Sequence, residues 1–480
     1  MNPISSFFEI AKARPSQIAV ATADLEMSFG DLAGSVKLFS AAFQKFGIGK
    51  GDLVAIAART EVECIAVLAL MQLGAISLSG TDSVMRSYRA QIQFLVTDND
   101  STLFSPGNTI KVNPEFLATL GQLSAKETIQ DLDESDIVRI VFSSGTTGTP
   151  KGVPFSAKNL LARINSAHSN WMPALPFMSL LGLDTVTGMQ TFYWHVFNGQ
   201  TYIAPRGGQE NLTLIQKFAV RSIKTSPARL KDLIVAATTQ SIAHSFEVLQ
   251  VAGSLLNSNL STEAERVFGV TPTYLYGSTE VGTVTRGLFK PTAANNVGTP
   301  VSDIEIEIVD DFGKPVSNGL LGTIRYRKPG MPEGYWLDNQ RKSRGFNDGW
   351  FYPGDLGVLN QAGELEINGR ADDVVNIRGS KFNLLELDTW LAELGLFEES
   401  ASFLVNASDD SLTVGIAFVS RQDPIPELLS EKLKAFIPDL EFSHLLRLKN
   451  LPRNRLDKVD RGELSRRVAE IQLKNIRSKE

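Results

Sequence analysis

The chain has a single cysteine, Cys64, among its 480 residues, so an internal disulfide is excluded. This shortage is typical of a reducing compartment, and we expect a cytoplasmic protein. The first fifteen residues carry charged side chains and no long apolar core, so no secretory signal is expected. The most apolar stretch, residues 64–78, is interrupted by Gln72 and Gly74 and is too short to span a bilayer. It predicts a buried helix followed by a strand.

An excess of basic residues is also missing. The 47 Lys and Arg residues are outnumbered by 53 Asp and Glu residues, and the formal net charge of −6 argues against a nucleic-acid-binding surface. Internal repeats and low-complexity segments are absent from the sequence. The hydrophobic fraction of 43% is that of a globular protein, and the length predicts two or three domains rather than one core.

The sequence does contain a loop rich in glycine and hydroxyl groups, SSGTTGTPKG at residues 143–152. It follows a β-branched run, residues 137–142, which predicts a buried strand. Such a loop can direct backbone N–H groups, hydroxyls and the Lys151 ammonium towards a polyphosphate. It is not a Walker loop, because Pro150 precedes the lysine and no Ser or Thr follows it. A flexible surface loop is the alternative.

A second motif, YLYGSTE at residues 274–280, has the chemistry of a nucleotide site. The face of Tyr276 can stack on a purine, and the hydroxyl of Thr279 can donate to a phosphate. The carboxylate of Glu280 is a suitable Mg²⁺ ligand beside phosphates. The alternative is an aromatic turn with a structural role.

Three further motifs follow. They are GWFYPGDLG at 349–357, GRADDVVNIRGSK at 369–381 and PRNRLDKVDR at 452–461. The carboxylate of Asp355, at a tight glycine turn, can accept hydrogen bonds from both hydroxyls of a ribose. Read individually, the three motifs are also consistent with a turn, a charged interdomain linker and a basic surface turn.

The hydrophobic pattern changes along the chain. Strands and helices alternate in the first half, which predicts an α/β architecture with largely parallel sheets. The predicted strands are 53–58, 75–78, 94–97, 137–142 and 201–204, and the predicted helices are 61–73 and 159–167. Strict alternation at 304–308 and 323–327 predicts half-exposed antiparallel strands of a small barrel or sheet. A smaller α+β region is expected after Arg370.

The five motifs, in this order, resemble those of the adenylate-forming superfamily, which includes acyl-CoA synthetases, adenylation domains of peptide synthetases and luciferases. Residues 47–56 match a further segment, so the resemblance covers nearly the whole chain. It implies a large N-terminal domain, residues 1–369, with α/β sheet subdomains and a small β-barrel-like subdomain. It also implies a small mobile α+β C-terminal domain, residues 370–480, with a hinge near Asp372.

The resemblance also implies the role of each motif residue. Lys458 would be catalytic, bridging the acid's carboxylate and the α-phosphate, and Thr279 and Glu280 would act on the phosphates and Mg²⁺. Gly379 would line a thiol tunnel. The implied ATP contacts are Ser143, Ser144, Gly145, Thr146, Thr147, Lys151, Gly253, Tyr276, Asp355, Arg370 and Lys381.

The implied activity is ATP- and Mg²⁺-dependent conversion of a small carboxylic acid to an acyl-adenylate, followed by transfer to a thiol. The thiol would belong to coenzyme A or to the phosphopantetheine of an acyl or peptidyl carrier protein. One alternative is a stand-alone adenylation enzyme that loads a carrier or passes the adenylate to an amine. Another is an inactive adenylate-binding paralogue, favoured by Pro353 and Asp457, which replace the family's usual Thr and Gly.

The acid pocket is expected within residues 171–199 and 249–276. Asp184 is a candidate for holding an α-amine, and its alternative is an exposed helix-capping residue. His195, in an aromatic segment, is a candidate pocket residue, and its alternative is a hydrogen-bonded core histidine. The identity of the acid is left open.

Overall fold

The structure, a computed structural model, describes most of the chain. The described residues are 2–80, 82–99, 108–124, 128–143, 150–171, 174–240, 246–254, 256–337, 345–371, 374–377, 380–406, 412–420, 426–437, 442–453 and 459–477. They form two compact units, Met1–Ile306 with Tyr326–Phe351, and Glu307–Arg325 with Tyr352–Glu480.

The first unit contains two six-stranded sheets that are parallel except at one edge. The first has the order β6 (Asn108–Lys111), β5 (Phe94–Thr97), β3 (Leu53–Ala57), β4 (Ile76–Ser79), β7 (Ile137–Ser143) and β8 (Lys151–Ser156). Its central strands are nearly continuous apolar runs, as expected for parallel strands covered on both faces. Only β8, at the edge, is antiparallel to its neighbour.

The second sheet has the order β15 (Thr299–Pro300), β14 (Gly282–Leu288), β13 (Thr273–Ser278), β12 (Val248–Ala252), β11 (Ser222–Thr225) and β9 (Phe177–Ser179). The four strands β9, β11, β12 and β13 are parallel, so their carboxyl ends lie along one edge. That edge carries the turn that follows β13.

Helices connect the strands of the first unit. They are α1 (Ile4–Ala13), α2 (Phe29–Lys45), α3 (Thr60–Leu73), α4 (Asp82–Ser87), α5 (Pro114–Leu120), α6 (Ala157–Trp171), α7 (Val186–Phe197), α8 (Gly208–Lys217), α9 (Pro227–Gln240) and α10 (Ser258–Phe268). A capping box starts α2, where the Ser28 hydroxyl accepts from the Asp31 N–H at 3.1 Å and the Asp31 carboxylate accepts from the Ser28 N–H. A small sheet has the order β10 (Tyr202–Ile203), β1 (Ile18–Ala21) and β2 (Glu26–Ser28).

An antiparallel region follows, and the boundary between the units falls inside its strands β16 (Glu305–Val309) and β17 (Gly322–Arg327). In the first unit β17 pairs with β19 (Trp350–Phe351), which pairs with β18 (Phe346–Asn347). In the second unit β17 pairs with β20 (Asp355–Leu359), which pairs with β21 (Leu365–Arg370).

The remainder of the second unit is α+β. Its strands are β22 (Val374–Ile377), β23 (Ser380–Asn383), β24 (Glu399–Asn406), β25 (Leu412–Val419) and β26 (Phe442–Arg447), and its helices are α11 (Leu384–Glu393), α12 (Pro426–Phe436) and α13 (Arg461–Arg477). The sheet β24-β25-β26 has apolar residues on both faces, one packed on α11 and α12 and the other on α13.

The predicted α/β fold class is confirmed, and most predicted elements of the first half occur within one or two residues of their expected ends. The stretch 64–78 is a buried helix followed by a strand, as predicted. Among the described residues, no helix is long and apolar enough to cross a membrane. The predicted domain boundary between residues 369 and 370 stays a prediction, because two compact units do not show which part of the chain moves.

Candidate active site

The glycine- and hydroxyl-rich loop connects two antiparallel strands, β7 and β8, so it is a hairpin loop rather than a strand-to-helix turn. Ser143 and Lys151 face each other as the last pair of the ladder, and the Ser143 hydroxyl lies 3.5 Å from the Lys151 carbonyl oxygen. The predicted phosphate contacts Ser144, Gly145, Thr146 and Thr147 lie outside the described residues.

Aromatic residues from two other segments hold the base of this hairpin. The Tyr88 hydroxyl donates to the Pro150 carbonyl at 2.8 Å and accepts from the Gly152 N–H at 3.3 Å. The backbone N–H of Trp336 donates to the Gly152 carbonyl at 2.8 Å, and the centre of the Trp336 ring lies 5.5 Å from that of Tyr88. These contacts hold the backbone at the start of β8, from Pro150 to Gly152, although β8 is an edge strand.

Tyr335, next to Trp336, connects the hairpin to the second motif. Its hydroxyl donates to Glu280 Oε1 at 2.8 Å, and the Lys151 ammonium lies 4.7 Å from the centre of its ring, a cation–π contact. Burial, followed by the charge and hydrogen bond of Glu280, raises the pKa of the Tyr335 phenol, which therefore stays protonated as a donor. Tyr335 was not predicted from the sequence, although the aromatic pair at 335–336 directly after Pro-Glu-Gly was a visible signal.

The second motif forms the end of β13 and the turn into β14. Gly277 is required here, because a Cβ at this position would lie 2.0 Å from the carbonyl oxygen of Gly282 on the adjacent strand. The partly buried Tyr276 ring meets Tyr326 edge-on, with ring centres 6.3 Å apart. The turn thus places Tyr276, Thr279 and Glu280 at the carboxyl edge of the second sheet, where ligands of α/β proteins commonly bind.

Arg163 of α6 supports this turn from behind and was also missed. It is 1% exposed, and its guanidinium donates to the carbonyl oxygens of Thr279, at 3.3 Å, and of Glu280. Burial lowers its pKa to about 10, so the guanidinium remains charged at neutral pH. These bonds fix the backbone from which the Glu280 carboxylate projects.

The donor set near Glu280 fits magnesium bound partly through phosphate oxygens. Its side chain is only 5% exposed, and one carboxylate oxygen is held by Tyr335. The part of the chain that the structure describes contains no cluster of three His, Cys, Asp or Glu residues able to hold a metal alone. Mg²⁺ commonly uses one or two protein carboxylates together with substrate phosphates and water.

In the second unit, Asp355 and Arg370 face each other across β20 and β21. The Arg370 Nε atom lies 3.9 Å from Asp355 Oδ1, and its Nη2 donates to the Pro353 carbonyl at 2.8 Å. Two of the predicted nucleotide contacts are therefore neighbours. In the first unit, Gly253 follows β12 with a positive φ of 100°.

Lys458, Asp372 and Gly379 lie outside the described residues, and for Lys381 only its place in β23 is described. The segments flanking Lys458 are close together, because Arg453 pairs with Val459 and the Asp460 N–H donates to the Pro452 carbonyl at 2.8 Å.

The two candidate acid-pocket residues, Asp184 and His195, differ in their exposure to solvent. Asp184 is exposed and does not cap α7, whose N-cap is Thr185, so the capping alternative is wrong. His195 is 1% exposed, and its two ring nitrogens lie 2.6 Å from the Thr191 carbonyl oxygen and 3.2 Å from that of Phe177. Burial lowers its pKa to about 4. These are the contacts of a core histidine, the alternative given for it.

Comparison with known proteins defines the class. The profile of the AMP-binding enzyme family matches residues 7–336. A 2-succinylbenzoate–CoA ligase from Geobacillus sp. (strain WCH70) is 25% identical over 483 residues, 95% of each chain. The chain therefore belongs to the AMP-binding enzyme family, and it is an acyl-adenylate-forming ligase in the general sense.

Solved structures share the fold. o-Succinylbenzoate CoA synthetase (MenE) from Bacillus subtilis, in complex with the acyl-adenylate intermediate OSB-AMP, gives a TM-score of 0.81 at 21% identity, over 96% of this chain and 97% of that chain. That synthetase also has a structure with ATP and a magnesium ion. The amide bond synthetase McbA from Marinactinospora thermotolerans gives a TM-score of 0.83 at 21% identity, over 96% of this chain and 99% of that chain.

Proposed function

We propose that the protein activates a small carboxylic acid with ATP and transfers the acyl group to the thiol of coenzyme A. The observation that carries this proposal is the contact of Tyr335 with both Glu280 and Lys151, which joins the phosphate-loop hairpin to the Tyr276–Glu280 turn. Similarity to full-length CoA ligases supports the choice of acceptor.

In the first half-reaction a carboxylate oxygen attacks the α-phosphorus of ATP, and the bond to the β-phosphate oxygen breaks to release pyrophosphate. Lys151 and the hairpin loop would hold the leaving phosphates, and Thr279 would donate to a phosphate oxygen. Lys458 would neutralise charge on the attacking side. Tyr276 would stack on adenine, and Asp355 would accept hydrogen bonds from the ribose hydroxyls.

Glu280 would hold the magnesium ion, which neutralises phosphate charge when bound. The Tyr335 hydroxyl orients that carboxylate, and Arg163 fixes its backbone. The chain's own contribution is therefore positioning, which accounts for most of the catalysis in phosphoryl-type transfers.

In the second half-reaction the thiol sulfur attacks the acyl carbon, the bond from that carbon to the AMP oxygen breaks, and the thiol loses its proton. Gly379 would line the path of the pantetheine arm. A carrier-bound phosphopantetheine would undergo the same chemistry as coenzyme A.

ATP–pyrophosphate exchange over a panel of fatty, aryl, amino and dicarboxylic acids tests the first half-reaction. We expect Mg²⁺-dependent exchange with at least one class of acid, and thioester and AMP after addition of coenzyme A. Exchange without thioester would instead favour an amine or carrier-protein acceptor. No exchange with any acid would favour an inactive paralogue.

A further inference from the structure

Arg139, in β7, is a buried arginine that the proposed chemistry does not use. The residue is 1% exposed, and its neighbours in the strand, Val138 and Ile140, are buried and apolar. Burying a charge is costly unless an opposite charge and hydrogen bonds compensate for it. The partners of the guanidinium therefore show which parts of the fold depend on this charge.

The described partners of Arg139 come from three other segments. Its Nη2 atom donates to the hydroxyl of Ser79, at the end of β4, at 2.9 Å and lies 3.5 Å from Oε1 of Glu63, in the first turn of α3. The same atom donates at 2.8 Å to the carbonyl of Leu183, in the turn between β9 and α7. The hydrogen bonds described for this guanidinium thus all involve one terminal nitrogen.

Glu63 compensates the charge of Arg139. The Glu63 side chain is 14% exposed, and burial raises the pKa of its carboxyl while the charge of Arg139 opposes that rise. The Ser79 hydroxyl donates to the same carboxylate. Burial raises the pKa of the Tyr193 phenol, on α7, to about 12, and the charges of Arg139 and Glu63 act on it in opposite directions. The ion pair therefore lies beside α7, and the bond to Leu183 is a contact additional to charge compensation.

The turn that contains Leu183 fixes the start of α7. The Thr185 N–H donates to the Gly182 carbonyl at 3.0 Å, and the Thr185 hydroxyl caps the helix by accepting from the Gly188 N–H at 3.0 Å. Turn and helix are packed closely, since a Cβ on Gly188 would lie 1.9 Å from the Gly182 carbonyl oxygen. A displacement of the Leu183 carbonyl would therefore displace the first turn of α7.

Arg139 thus connects two segments that have proposed roles in binding. The last residue of β7, Ser143, begins the phosphate loop and lies four residues after Arg139, about 13 Å at 3.3 Å per residue. The Leu183 turn and α7 belong to residues 171–199, one of the two segments in which the acid pocket is expected. The guanidinium therefore holds this segment against the strand that leads into the phosphate loop.

We propose that Arg139 is a positioning residue for the acid. Its hydrogen bond to Leu183 holds the start of α7 where the acid binds, so loss of the bond weakens binding of the acid and leaves binding of ATP unchanged. The inference rests on the proposed function, because it assigns a role to part of the expected acid pocket. Arg139 acts through the turn and α7 and takes no part in the chemical steps.

Two substitutions separate the reach of Arg139 from its charge. Arg139→Lys keeps the charge beside Glu63, but the lysine nitrogen lies one bond short of the Nη2 position and loses Leu183. Glu63→Gln removes the opposite charge, keeps the size of the side chain and leaves Arg139 in place. Arg59→Lys makes the same substitution at an arginine whose side chain is 69% exposed, and it is the matched control.

The acid and ATP are titrated separately in ATP–pyrophosphate exchange, with an acid that the wild type activates. We expect Arg139→Lys to raise the KM for the acid about tenfold, with the KM for ATP within about twofold of the wild-type value. Glu63→Gln should lower the Tm and leave both KM values within about twofold of the wild type, because the bond to Leu183 is retained. Arg59→Lys should match the wild type in both KM values.

Hydrogen exchange without substrates gives a second readout. Loss of the bond to Leu183 should speed amide exchange in peptides that cover residues 182–189 by about tenfold in Arg139→Lys. Peptides that cover β11, in the same sheet as β9, should keep the wild-type rate. In Glu63→Gln the exchange of residues 182–189 should also stay close to the wild-type rate.

An unchanged KM for the acid in Arg139→Lys, or an equal rise in Glu63→Gln, would overturn the inference and leave the proposed function intact. Exchange with no acid in the wild type would contradict the proposed function and overturn the inference with it. If either single variant does not fold, the double variant Arg139→Met with Glu63→Gln, which removes both buried charges together, decides in its place. A raised KM for the acid alone is then the expected result, and an unchanged KM is the contrary one.

Discussion

Tyr335 shows how one side chain can set the geometry of a site that two distant motifs supply. Its hydroxyl bonds Glu280, and its ring face holds the Lys151 ammonium, so both charged groups are oriented by one rigid aromatic side chain. A hydrogen bond to a charged group contributes about 1.5–3 kcal/mol, enough to decide where the carboxylate points.

Tyr335→Phe removes the donor to Glu280 and keeps the ring beneath Lys151. We expect the Mg²⁺ concentration for half-maximal exchange to rise roughly tenfold, since about 1.4 kcal/mol corresponds to a factor of ten. Tyr335→Leu should also raise the KM for ATP, because Lys151 loses its aromatic support. Tyr202→Phe, at a buried tyrosine of β10, is the control. An unchanged Mg²⁺ dependence in Tyr335→Phe would remove Tyr335 from the site.

The buried His195 should make the folded protein less stable in acid. Its pKa is about 4 in the folded protein and about 6.5 in the unfolded chain, so the unfolded chain binds the proton first as pH falls. The contribution of neutral His195 to the free energy of unfolding is complete above pH 6.5 and is lost as the pH falls from 6.5 to 4. The loss is about 2 kcal/mol at pH 5. Urea unfolding at pH 7 and pH 5 measures it, and His195→Gln should lose less between the two pH values. An equal loss in both proteins would show that another group is responsible.

At the scale of elements, the hairpin β13–β14 positions the nucleotide motif because two backbones approach closely at Gly277. The approach needs a residue without a Cβ, which explains the glycine within the motif without reference to any ligand. The glycine of this motif is therefore required by the packing of the backbone, in addition to the role proposed for its neighbours in binding the nucleotide.

Gly277→Ala should destabilise the first unit by about 2 kcal/mol or more, because the added methyl would lie 2.0 Å from a backbone oxygen that cannot move alone. Exchange activity should fall with it, since Tyr276 and Thr279 flank the change. The matched control is Gly34→Ala in α2, where nothing lies within 4 Å of the new Cβ and helix propensity favours alanine by up to about 1 kcal/mol. Equal melting temperatures for the two variants would contradict this account.

Elements with strong local patterns were predictable from the sequence, and long-range partners were not. The strand at 94–97 and the helix at 61–73 follow from apolar runs and periodicity. The bonds to Glu280 from Tyr335 and Arg163 join residues 55 and 117 positions apart, so no local pattern contains them. The strand β8 was missed because its residues include Lys, Gly and Pro, which are weak strand formers whose pairing depends on β7.

At the scale of the whole molecule, the residues proposed for the first half-reaction come from both units. The first unit contains the hairpin and the Tyr276–Glu280 turn, and the second contains Asp355, Arg370 and Lys458. Lys458 is proposed to act only when the carboxylate attacks ATP.

Lys458→Ala should therefore reduce ATP–pyrophosphate exchange by about 10² to 10³, the cost of removing one positioned charge-stabilising group. The same variant should still form thioester from chemically synthesised acyl-adenylate and coenzyme A at close to the wild-type rate. Lys449→Ala, at an exposed lysine nearby in the same unit, is the control and should leave both reactions unchanged. Equal loss of both half-reactions in Lys458→Ala would contradict the proposal that Lys458 acts only when the carboxylate attacks ATP.

Activation of the acid as an adenylate can be followed with an isotope label. Acid labelled with ¹⁸O in its carboxylate is incubated with the enzyme, ATP, Mg²⁺ and coenzyme A, and the nucleotide product is analysed by mass spectrometry. We expect one ¹⁸O atom in AMP for each thioester formed, because the attacking oxygen stays on phosphorus when the acyl carbon–oxygen bond breaks. Formation of ADP, with the ¹⁸O in inorganic phosphate, would instead show an acyl-phosphate route and exclude the adenylate.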